Sequence, residues 1–71
     1  MSNERINARA VADVIRKSDV GLHLYRIEVW GEEPHDYIRV YEIAAQSDNV
    51  AAREGIDRFV EEIGNLTTDE A

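Results

Sequence analysis

Residues 22–45 read LHLYRIEVW (22–30), GEEPHD (31–36) and YIRVYEIAA (37–45). The two outer stretches are rich in β-branched and aromatic residues, and the middle one is polar with the chain's single proline. That pattern predicts two strands, 22–30 and 37–45, joined as an antiparallel hairpin. Two registers satisfy it. If Glu28 lies opposite Arg39, Ile27 faces Val40 and Val29 faces Ile38. Shifted by one residue, Arg26 meets Glu42, Tyr25 meets Ile43 and Ile27 meets Tyr41. Each register makes a cross-strand ion pair and an apolar face, so periodicity leaves both open.

Both faces of the first strand carry apolar side chains, Leu24 and Trp30 on one side and Tyr25, Ile27 and Val29 on the other. A sheet wet on one face has no need of that.

Downstream, Ser47 suits a helix N-cap and Asp48 its first turn. Ile56, Phe59, Val60 and Ile63 recur at helical spacing, with Ala52 extending the stripe, which predicts a helix over 47–63. Gly64 fits a C′ position, and 65–71 reads as a frayed acidic tail. Gly55, mid-helix on the apolar side with Ala51 four residues earlier, costs about 1 kcal/mol relative to alanine. It marks a close backbone approach, by the first helix or a second copy.

Upstream, Ile6, Ala10, Val11, Val14 and Ile15 also recur at three- and four-residue spacing, with Arg16 and Lys17 behind them. This predicts a first helix over 2–17, with Arg5, Arg9 and Arg16 on its outer side. Gly21 is placed to take a positive φ in the turn that follows. The expected architecture is a single α+β domain spanning 1–71, in the order α-β-β-α. In it the hairpin packs with two helices and is completed by dimerisation.

Length supports that last step. Seventy-one residues bury only about 60% of the surface the unfolded chain exposes. With no cysteine and two histidines, neither a disulfide nor a zinc finger can staple the fold, which leaves a partner chain.

The net charge is −7, unevenly spread. Residues 1–27 hold five basic and three acidic residues (+2), and 28–71 hold three basic and twelve acidic (−9). A −9 segment repels phosphate, so nucleic acid is not an expected ligand. No apolar leader and no stretch of about 20 apolar residues is present, so the expected setting is cytoplasmic, with no membrane partner.

No residue set carries catalysis: the Ser-Asp pairs punctuate helices, and His23 has no nucleophile placed beside it. Glu32, Glu33, His35 and Asp36 share a loop but match no metal-ligand frame, so neither metal nor cofactor is expected. Trp30 and Tyr37 bracket that loop as two amphipathic rings. They read either as binding anchors or as cross-strand packing.

The candidate partner-binding residues are therefore Trp30, Glu32, Glu33, Asp36 and Tyr37 around the loop, with Glu54, Asp57, Glu61 and Glu62 on the last helix. Together they predict a non-catalytic, acidic protein-binding module. It would act as a stoichiometric inhibitor by occupying a partner's basic, nucleic-acid-binding surface, as small phage-encoded inhibitors of bacterial defence do. The alternative is a homodimeric structural or regulatory protein with no competitive role.

Overall fold

The computed structural model describes residues 6–68. Three strands, β1 (Ala8–Arg16), β2 (His23–Gly31) and β3 (Ile38–Ala45), precede one helix, α1 (Asp48–Thr68). The strands form an antiparallel meander in the order β1-β2-β3, a small α+β fold elongated to 47 × 17 × 16 Å.

The expected first helix over 2–17 is a correction: residues 8–16 are a strand, and 2–5 lie outside the described residues. The segment carries two periodicities at once. Read at helical spacing it shows Ile6, Ala10, Val14; read at spacing two it shows Ala8, Ala10, Ala12, Val14. Tertiary demand decides between them. The edge of β2 offers backbone groups that need partners, and β1 supplies them along Ala8↔Gly31, Ala10↔Val29 and Ala12↔Ile27.

β2 and β3 pair in the second of the two registers, with Arg26 opposite Glu42, Tyr25 opposite Ile43 and Ile27 opposite Tyr41. Strand alternation then separates the side chains cleanly. Ala8, Ala10, Ala12, Tyr25, Ile27, Val29, Tyr41, Ile43 and Ala45 share the helix side. Arg9, Val11, Asp13, Leu24, Arg26, Glu28, Trp30, Ile38, Val40, Glu42 and Ala44 share the other.

The core lies between sheet and helix. Ile27, Val29, Phe59 and Ile63 are its largest fully buried side chains. Each contributes roughly 1.5–3 kcal/mol over its exposed state. Ser47 caps α1 as expected: its carbonyl accepts from Ala51 N–H at 3.0 Å, and its Oγ from Val50 N–H at 3.4 Å.

The helix then continues through Gly64 to Thr68, past the expected end at 63, so Gly64 is not a C′ residue. The expected tail from 65 is helical to 68, and 69–71 lie outside the described residues. Ala51, Gly55, Phe59 and Ile63, spaced by four, form the fully covered line, while Ile56 and Val60 are half-buried. The close approach read at Gly55 is real, and its partner is the sheet. A Cβ there would stand 2.6 Å from Ile27 Cγ2 and 3.4 Å from Val29 Cγ2.

Gly21 has φ of 91°, as its turn requires. In that turn Ser18 N–H donates to His23 Nδ1 at 2.9 Å, which commits this imidazole to holding the β1–β2 connection.

Candidate functional site

Two groups of side chains gather where the β2–β3 loop and the C-terminal half of α1 meet. The loop folds back tightly. Gly31 N–H donates to the Tyr37 carbonyl at 3.0 Å, and His35 N–H to the Glu32 carbonyl at 2.9 Å, around a cis Glu33–Pro34 peptide. A Cβ at Gly31 would run into the His35 carbonyl and stand 3.1 Å from the Phe59 ring. Glycine is therefore what allows the helix to press on the root of the loop. His35 is buried, and its Nδ1 has no hydrogen-bond partner among the described residues. The loop is thus a packed plug built around an imidazole.

The helix is tied to β3 by one carboxylate. Glu62 Oε2 accepts from Arg39 Nε at 2.9 Å, and its Oε1 accepts from the Tyr41 hydroxyl at 2.8 Å. These two hydrogen bonds hold the Glu62 carboxyl below its ordinary value. The Tyr41 phenol is pushed up to about 12, first by burial and then by the hydrogen bond it donates to Glu62. Arg39 also lies over the Tyr37 ring, 5.7 Å from its centroid. A second pair, Arg9 Nε to Glu32 Oε2 at 3.0 Å, ties β1 to the loop.

These contacts sort the residues expected from sequence. Glu62 is a structural clip, and Glu32 and Glu54 are engaged with Arg9 and Arg58. Glu33, Asp36, Asp57 and Glu61 are exposed and form no ion pair among the described residues. On the helix Arg58 pairs with Glu54 at 3.3 Å, while Arg53 and Asp57, at the same four-residue spacing, form no ion pair among the described residues.

Trp30 and Tyr37 bracket the loop in sequence and part company in space. Tyr37 pairs with Gly31 and lies on the helix side, under Arg39. Trp30 lies on the open face, opposite Arg9 on one neighbouring strand and Ile38 on the other. The two rings do not make one anchor.

Sequence reasoning placed His35 in this loop but passed over Arg39 and Tyr41 as members of this end. Arg39 and Tyr41 reach Glu62 across more than twenty residues of chain, a distance that no local pattern spans.

The loop end is thus an acidic pole. Of its acids, Glu32 is paired with Arg9 and Glu62 with Arg39, while Glu33, Asp36 and Glu61 form no ion pair among the described residues. No three His, Cys, Asp or Glu side chains among the described residues converge on a point that a metal ion could occupy.

At the opposite end an open groove of about 460 Å³ runs between β1, Tyr25 and the start of α1, with Asp13, Lys17 and Asp48 on its rim. No described helix is long and apolar enough to cross a membrane. Comparison with family models, with curated proteins and with solved structures returned no match to this chain.

Proposed function

We propose that the chain is a non-catalytic protein-binding module whose acidic pole docks on a basic surface of a partner, in the manner of a stoichiometric inhibitor that competes with nucleic acid for that surface. The observation that carries this reading is a set of unpaired acids, Glu33 and Asp36 on the β2–β3 loop and Glu61 on the half of α1 that meets the root of that loop through Phe59. Glu32 and Glu62 stand beside them, each already held by an arginine. Carboxylates fixed by a packed loop and a helix present a field that needs no reorganisation on docking. Asp57 continues the same outer face of the helix. Tyr37, 39% exposed beside Arg39, is the ring at this pole suited to desolvation by a partner.

The test begins with capture of the partner from the native host. Surface plasmon resonance then compares wild type with Glu33→Lys/Asp36→Lys and with Asp57→Lys/Glu61→Lys. Among the described residues these acids form no ion pair, so reversing them should slow association about tenfold or more and flatten its salt dependence. Unchanged association rates in both variants, at low and at physiological salt, would remove the reading.

A homodimeric structural or regulatory protein is the second reading. It is favoured by the bare outer edge of β1.

A further inference from the structure

We infer that two copies of this chain join through their β1 strands, antiparallel about a two-fold axis at Val11, into one six-stranded sheet.

β1 pairs only with β2, so its outer edge is unsatisfied among the described residues. Proteins commonly blunt such edges with proline, lysine or a bulge. Residues 8–16 contain neither proline nor lysine, their charges (Arg9, Asp13, Arg16) are of both signs and so do not repel a second copy uniformly, and the single irregularity falls between Val14 and Arg16. The regular part of the edge is therefore 8–14, and its midpoint is Val11. Val11, Val14 and Ile15 on this strand are each nearly half exposed.

A symmetric antiparallel pair places residues of equal parity opposite one another on the same face. Centred on Val11, it sets Val11 against Val11 of the second copy and Ala10 against its Ala12. Ala8 meets Val14, and Arg9 meets Asp13. That last pair occurs twice and puts opposite charges directly across the new ladder, the arrangement that favours one register.

β3, the other free edge, offers no such match. Its Arg39 lies on the helix side and Glu42 on the open side, so no symmetric register can pair them. Both arginines already hold a carboxylate in their own chain, Arg39 that of Glu62 and Arg9 that of Glu32; the Arg9 pair, with its arginine 71% exposed against 34%, is the weaker and the more readily exchanged.

The long-range charge layout points the same way. Antiparallel pairing sends the two acidic poles to opposite ends of the joined sheet. Each pole then lies beside Arg16 and Lys17 of the other copy. Room is sufficient: α1 lies across all three strands, so the two helices would sit on the same face about 10–14 Å apart, two to three strand spacings, and helices pack without clash from about 8–10 Å.

The experiment uses the absence of cysteine in the chain. Val11→Cys puts one thiol at the axis, where Cα atoms of either antiparallel pair type lie about 4.5–5.5 Å apart, inside the disulfide range. Val40→Cys is the control, on the same face, at the same 47% exposure, on the other edge.

Wild type should sediment at twice the 8.1 kDa of one chain at micromolar concentration. Mild oxidation should link Val11→Cys into a covalent dimer and leave Val40→Cys single. Val11→Lys faces Glu28 within its own chain, which supports the monomer, but meets its own copy across the axis. It should weaken the dimer about tenfold or more with an unchanged circular dichroism spectrum. The inference is overturned if wild type sediments as a single chain. Cross-linking of Val40→Cys in preference to Val11→Cys, or undiminished self-association in Val11→Lys, overturns it equally. None of these outcomes bears on the acidic pole, which the plasmon resonance variants test separately.

Discussion

Gly55→Ala should destabilise the protein, although helix propensity alone predicts the opposite. Alanine in a helix interior is favoured over glycine by about 1 kcal/mol. Against that stands the contact at the sheet. The new Cβ would lie 2.6 Å from Ile27 Cγ2 and 3.3 Å from Ile27 Cβ. Ile27 is fully buried and β-branched, so its methyl cannot swing aside into another rotamer without cost. Overpacking of this kind costs typically 1–3 kcal/mol. At 2.6 Å the overlap falls at the upper end of that range, so after the propensity gain the net loss should be about 2 kcal/mol in urea melts.

Gly64→Ala is the internal control. It lies in the same helix, its Cβ would meet nothing within 4 Å, and it should gain about 0.5–1 kcal/mol. Ile27→Leu removes the offending methyl, so in the double variant Gly55→Ala should cost about 1 kcal/mol less than it does alone. A Gly55→Ala variant as stable as wild type or more so would refute the packing argument.

Phe59→Ala, deleting a fully buried ring against Gly31 and its loop, should cost about 3–5 kcal/mol by the same assay. The Glu62 carboxyl is held below its ordinary value. Its contribution is therefore present above about 4.5, the unfolded value, and lost as pH falls through the lower folded value. Acid unfolding curves should accordingly show wild type and Glu62→Gln converging below pH 4. The Tyr41 phenol behaves in the opposite sense. Its contribution is full below pH 10 and lost as pH rises through about 12, so ultraviolet titration should show a late tyrosinate step that Tyr41→Phe removes.

The hairpin and the last helix were legible because their signals are local. Alternation, a polar connection, an N-cap and a four-residue stripe each sit within a dozen residues. The register was legible only as a choice of two, since Arg26/Glu42 and Glu28/Arg39 are equivalent charge pairs until the rest of the fold selects a face. β1 was misread because its alanines serve helix and strand alike. What made it a strand was the edge of β2, some fifteen residues away.

The candidate site suffered from the same limit. Which acids were free depended on pairs such as Arg39–Glu62 and Arg9–Glu32, each separated by 23 residues. The placing of Trp30 and Tyr37 on opposite faces follows from the register alone, and would have been readable had the register been known.

The double periodicity of residues 8–16 bears on the order in which the chain folds. Before any long-range contact exists, local preference acts alone, and alanine and arginine favour helical turns. So short a segment holds helix only marginally in water, so it commits to nothing until β2 is in place to recruit it. The β1–β2 connection (17–22) is no longer than the β2–β3 connection (32–37), so β1 can pair as soon as β2 is extended. Until it does, β2 presents an open edge flanked by Tyr25, Ile27 and Val29, a surface that another nascent chain can capture. Slowing the closure of β1 should therefore show first as aggregation during refolding and only later as lost stability.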